Sequence, residues 1–230
     1  PSANYLQPAL ALVHDNTLFG YTGPFYGRRW RFEAAQNIGT WHFSQLLGDY
    51  RRYDQIAGPL VLATRAFYFG RMGRDADRFR LFLGTTDLLR GQTSGSYIRN
   101  ECVNANDNNT YTGCAALDRL IGTQLAVGSA ELRFPILTQQ VFKKLPLGFP
   151  PIEGAVFYDV GLAWDGNSVV KWKEDAGDAG NPAVRIPLQT WGLSARMNVL
   201  GLMVLRLDWS HPLHRPGVGG LWTVSLGPTF

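Results

Sequence analysis

Long apolar runs are what this 230-residue chain most plainly lacks. The longest fall far short of the roughly 18 to 20 residues that a helix needs to cross a bilayer. The mean hydropathy of −0.11 sits just below zero, and a helical membrane protein is excluded. Helix-like periodicity of useful length is missing too, as is any repeat of about 20 to 50 residues. Lysine is scarce beside arginine, the basic residues form no run, and the formal charge is only +4, so nucleic acid is not an expected partner. No nucleotide-binding glycine loop is present. No secretory leader opens the chain either: Pro1 begins PSANYLQPALALV, already close to strand character, so either a leader was removed or the chain is a fragment. Cysteine is limited to Cys102 and Cys114, which bracket the polar stretch VNANDNNTYTG. Their spacing permits a disulfide. It would contribute on the order of 3 kcal/mol in an oxidising compartment; two free thiols are the alternative.

What is present is apolar and aromatic surface, 45% and 13% of residues, enough to argue against disorder. A soluble all-β protein and a transmembrane barrel both fit, since barrel strands alternate lipid-facing and lumen-facing residues and average to mild hydropathy. The arginine excess suits crowded ion pairing by a planar guanidinium, and a base-composition bias explains it equally well. Turn residues divide the chain into segments of about ten residues, and strands are predicted over 5–15, 26–36, 40–53, 59–71, 121–135, 152–164, 187–199, 201–211 and 221–230. Tight turns are expected at Asn37 to Gly39, Ala57 to Gly58 and Leu200 to Gly201, and long polar loops at 72–120 and 165–186. The connection 136–151 is also fairly long. Short turns at one rim and long loops at the other are a feature of outer-membrane barrels.

Side-chain parity carries the argument further. Trp222, Val224, Leu226, Pro228 and Phe230 share one face of the last strand. Val156, Tyr158, Val160, Leu162 and Trp164 oppose Glu153, Phe157, Asp159, Gly161 and Asp165; Trp191, Leu193, Ala195 and Met197 oppose Thr190, Gly192, Ser194, Arg196 and Asn198. The polar faces carry charge well inside strands: Arg29, Arg31, Glu33, Arg65, Glu131, Arg133, Arg206 and Asp208. A soluble sandwich would alternate in the same way. Aromatic residues near strand ends (Trp41, Trp164, Trp191, Trp209 and Trp222) and a chain that stops on an aromatic inside its final strand favour a barrel.

The segment LLRGQTSGSY, Leu88 to Tyr97, lies in the longest loop and resembles the arginine-glycine motif of the inward-folded sixth loop of the BamA/TamA-like bacterial surface antigen superfamily. That family usually has an aromatic after the glycine, where Gln92 stands here. Downstream, Phe157-Tyr158-Asp159-Val160-Gly161 resembles the family's Phe-x-Asp-x-Gly strand motif. The resemblance extends to Ser129 through Pro135 as the strand after the loop, to the cysteine pair within that loop, to LWTVSLGPTF as a C-terminal targeting strand, and to the opening LVHDNTLFGYTGPFYGRRWRF. It implies that Arg90 pairs with Asp159, and a lumen carboxylate beside Phe157 would indeed need a bidentate cation. Gly91 and Gly161 complete this loop-to-barrel lock, Gly161 letting the loop approach the wall.

The implied fold is an all-β antiparallel transmembrane barrel, residues 1–230 forming the C-terminal portion, about nine strands of roughly sixteen. Missing N-terminal strands or a partner chain would be needed to close it. The implied place is the bacterial outer membrane, with lipid, lipopolysaccharide and other envelope proteins as partners. The implied function is to assemble or translocate other proteins; a surface-antigen barrel that anchors or exports a fused domain, or serves as a structural subunit, is the alternative. No enzyme activity, cofactor or metal is expected. Ser168 and Lys171 match a Ser-x-x-Lys pattern without its supporting motifs, and His211 and His214 flank a proline turn and lack a third ligand. Asp165, Glu174, Asp175 and Asp178 read as a solvated loop, and His42 with Ser44 has no orienting carboxylate.

Overall fold

A computed structural model of the chain describes residues 4–97, 115–137, 150–173, 175, 181, 183–199, 201, 203–215 and 217–228. In chain order the strands are β1 (Tyr5–Leu6), β2 (Ala9–Asp15), β3 (Leu18–Phe19), β4 (Pro24–Gly39), β5 (Phe43–Ala57), β6 (Leu60–Met72), β7 (Leu81–Phe82), β8 (Ile121–Gly122), β9 (Gln124–Leu137), β10 (Ile152–Trp164), β11 (Val169–Val170), β12 (Val184–Arg185), β13 (Leu188–Val199), β14 (Met203–Pro212) and β15 (Leu221–Pro228). One antiparallel sheet runs β4, β5, β6, β9, β10, β13, β14, β15, with β1, β2 and β3 all paired to the free side of β4. The pairs β7 with β8 and β11 with β12 lie outside this sheet, in the long connections.

All nine predicted strand segments carry strands, with two shifts. The first segment is broken at Gln7-Pro8 into β1 and β2, because proline has no N–H for the ladder. The turn expected at Asn37 to Gly39 falls instead at residues 40–42: Asn37 still pairs with Phe43, and Gly39 pairs with Tyr5 at a φ of +137° that other residues rarely adopt. The turn at Gly58 forms as expected, with Ala57 opposite Leu60 and Gly58 in the left-handed region.

The connections sort onto two rims. The tight turn at 58–59 and the ends of β9, β13 and β15 share one rim, the short-turn rim; the ends of β4, β6, β10 and β14 share the other, the long-loop rim. Leu200 of the third expected turn lies outside the described residues. Parity then fixes the faces. Val156, Tyr158, Trp191, Leu193, Leu207, Trp222, Val224 and Leu226 are all exposed on the outer, convex face, while Phe157, Asp159, Thr190, Ser194, Asp208 and Ser210 are buried on the inner one. A core of this kind lies inside the curled sheet. Leu125, Val127 and Leu188 of the wall pack there against Leu83, Leu89 and Leu120 of the longest loop and Ile186 of the next. Among the described residues no ladder joins β2 to β15, so the sheet has two open edges.

The outer face predicts an asymmetric response to charge. Leu193→Arg, about midway along β13 on the convex side, should cost about 2–4 kcal/mol in unfolding titrations from lipid vesicles, with Leu193→Ile nearly neutral. Equal stability of the two variants would mean that this face does not meet hydrocarbon.

Candidate functional site

The inner wall holds buried carboxylates and guanidiniums, and the longest loop supplies the group that joins them. Asp159 projects inward from the middle of β10 and is fully buried. Arg90 enters from the loop and grips it bidentately, Nε to Oδ2 and Nη2 to Oδ1, both at 2.6 Å. Its remaining arm, Nη1, donates to Glu131 Oε1 on β9, also at 2.6 Å. Ser129 Oγ donates to Asp159 Oδ1 at 2.7 Å. Arg133 Nε donates to Glu131 Oε2 at 2.9 Å, and Arg196 Nη2 on β13 reaches both Glu131 oxygens at 2.7 Å. Three arginines thus converge on Glu131. Burial opposes the charge on Arg90, but Glu131 and Asp159 outweigh it and hold the guanidinium's pKa above the ordinary arginine value.

The guanidinium is also stacked. Its carbon lies 3.5 Å from the centre of the Phe157 ring, close enough for a desolvated cation–π contact. That ring lies where Gly192, on the neighbouring strand, has no side chain: a Cβ there would come within 2.5 Å of the ring edge. Gly91 follows Arg90 at a φ of +76°, and a Cβ on it would press on Ser210 and Thr190 at 3.1–3.2 Å. At Gly161 the methyls of Leu83 and Leu89 lie 3.0 Å from where a Cβ would be, so the loop packs directly on the wall.

Gln92 is fully buried, and its Oε1 accepts a bond from the Tyr97 hydroxyl at 2.6 Å, so the amide is pinned within the loop's own tip. Arg215, after β14, braces the same tip: it donates to the Gly91 carbonyl at 3.1 Å and the Ser96 carbonyl at 2.6 Å, and lies 3.9 Å over the Tyr97 ring. Toward the short-turn rim the cluster opens on a cavity of about 650 Å³. The connection between β3 and β4 crosses that end: Thr22 Oγ1 donates to Glu153 at 2.9 Å, and Asn198 Nδ2 donates to the Tyr21 carbonyl at 2.7 Å.

A protein-family model, the Omp85 superfamily domain, matches residues 23–219. The chain belongs to the Omp85 superfamily. Its fold is similar to the crystal structure of BamA from Haemophilus ducreyi lacking POTRA domains 1-3, with a TM-score of 0.66 over 96% of this chain at 15% identity. The chain spans 42% of the length of that BamA chain. A search of curated proteins finds no match. This Omp85 chain is accordingly an integral outer-membrane β-barrel protein.

Of the residues singled out in sequence, Arg90, Gly91, Phe157, Asp159 and Gly161 come together at one place on the inner wall. Trp222, Val224 and Leu226 line the outer face of β15, while Phe230, Cys102 and Cys114 lie outside the described residues. Sequence reasoning paired Arg90 with Asp159 and missed Glu131, Arg133, Arg196 and Ser129 as partners of the same cluster, and Arg215 as the brace of the loop tip. Glu131 and Arg196 carried the available signal, since each is a charge on the lumen parity deep within a strand. The remaining candidates serve local structure. Ser168 Oγ donates to Asp165 at 3.0 Å and Lys171 pairs with Asp175 at 3.0 Å. The His42 N–H donates to Asp75 at 2.8 Å, and Ser44 binds Gln36. Among the described residues no group of three or more metal-ligating side chains exists. Glu174 and Asp178 are outside the described residues.

Because each partner is buried, breaking one contact strands charge. A double-mutant cycle of Arg90→Met and Asp159→Asn should give a coupling energy of about 1.5–3 kcal/mol, read from denaturant titrations. A coupling near zero would show that the two groups act independently.

Proposed function

We propose that this barrel assembles or translocates other proteins at the outer membrane, and that the Arg90 cluster holds the longest loop inside the lumen while it does so. The observation that carries this reading is the loop's attachment. One arginine is bidentate to β10, bonded to β9 and stacked on Phe157, and the loop tip beyond it is braced by Arg215. A loop so held divides the interior. An apolar plug lies toward the long-loop rim and the 650 Å³ cavity toward the other, so the conformation of one segment can govern what passes or docks. Membership of the Omp85 superfamily supports the class of activity, and the protein's own residues supply electrostatics and packing rather than covalent chemistry.

The open edges at β2 and β15 complete the proposal. Unpaired N–H and C=O groups are prohibitively costly in hydrocarbon. In the membrane both edges pair with further strands, of the same polypeptide or of a partner chain, and residues 1–230 form the C-terminal part of a larger barrel domain. Its working partners are then other outer-membrane or envelope proteins, with lipid and lipopolysaccharide around it.

The test is depletion of the native full-length protein followed by pulse-labelled assembly of other outer-membrane proteins. The expected outcome is slower assembly or export, rescued by the wild-type gene and only partly by Arg90→Ala, which still reaches the membrane. Normal assembly and export after depletion would contradict the reading and favour an anchoring or structural subunit.

A further inference from the structure

Among the described residues the convex face carries a cluster of charges that the lumenal chemistry does not use. Arg28 of β4 and Arg52 of β5 stand directly opposite each other in the ladder, and both are exposed on the outer face. Like charges in a facing pair destabilise a sheet unless an anion lies between them. Arg52 is bonded to Asp54 through Nε and Nη2 at 2.8–3.1 Å. Among the described residues Arg28 has no carboxylate partner, so the patch keeps a surplus positive charge. Its backbone is fixed, the N–H donating to Asn16 Oδ1 at 2.8 Å and the carbonyl accepting from Asn16 at 3.1 Å.

The surroundings define a depth. One step up the same face stands the aromatic pair Trp30 and Tyr50, with His14 stacked 5.5 Å from Trp30. Beyond them come the apolar Phe32, then Ala34 with Leu46, before the polar pair Gln36 and Ser44. One step toward the short-turn rim is exposed Tyr26. Aromatic rings beside an apolar belt mark the membrane interface, and the arginines lie on its aqueous side, at headgroup level. We propose that Arg28 and Arg52 form a site for the phosphate of an anionic phospholipid in the leaflet at the short-turn rim. The phosphate would bind Arg28 and reach the Nη1 arm of Arg52 that Asp54 leaves, compensating the surplus charge, while the acyl chains run up along Trp30 and Phe32. A guanidinium binds phosphate oxygens through paired N–H donors, so lysine would serve less well.

Native mass spectrometry of the full-length protein in detergent tests this, with phosphatidylglycerol, diacylglycerol and inorganic phosphate as separate probes. We expect retained phosphatidylglycerol to fall about tenfold in Arg28→Gln/Arg52→Gln, less in Arg28→Lys/Arg52→Lys, and not at all in Arg31→Gln, whose side chain faces the lumen. In lipid-free detergent the double glutamine variant should melt no lower than wild type, which separates a lost ligand from a misfolded barrel. Undiminished phosphatidylglycerol in that variant would overturn the proposal. So would equal retention of diacylglycerol, or inorganic phosphate bound as tightly as the lipid, which would make this a soluble-anion site.

Discussion

The position of the longest loop depends on one buried guanidinium. Arg90 is asked to leave water, which costs several kcal/mol for an ion, and only near-complete satisfaction offsets that. Asp159 takes two of its donors, Glu131 a third, and Phe157 covers its face. The partners are in turn satisfied: Ser129 completes Asp159, and Arg133 and Arg196 complete Glu131. Such an arrangement does little for net stability compared with an apolar core of the same volume, but it is unforgiving of misplacement. It specifies where the loop sits more than it strengthens the barrel.

The two glycine sites show how the backbone makes room for that specificity. Gly192 leaves space for the Phe157 ring on the wall, and Gly161 lets Leu83 and Leu89 rest against it. A larger residue at either would push the stacking surface or the loop away from Asp159. The apolar plug and the ion cluster are therefore coupled through the same strand, β10, which carries Phe157, Asp159 and Gly161 on alternate positions of its inner face.

Strand existence and facing were legible from period-two alternation, because burial on one side forces parity whatever the register. The Arg90 and Asp159 pair was legible only through resemblance, because two segments standing in order along the chain resemble motifs that the family brings together. Glu131 and Arg196 were visible as lumenal charges but not as partners of Arg90. Their meeting depends on the registers between β9, β10 and β13, in which Glu131 lies opposite Phe157 and Arg196 opposite Glu153, and parity does not encode register. The turn after β4 was placed too early because Gly39 reads as a turn residue, whereas it sits within the paired strand, where a positive φ is needed. At Gln92, where the family usually has an aromatic, a polar side chain at the tip accepts from Tyr97, a contact within the loop's own fold.

The central claim, that residues 83–97 are docked on the inner wall in the native membrane, is tested most directly by amide hydrogen exchange of the full-length protein in outer-membrane vesicles. The account predicts that the Leu89 to Gln92 amides exchange as slowly as those of β10, far more slowly than an exposed loop. Exchange at the rate of an unstructured segment would place the loop outside the lumen and remove the basis for the site.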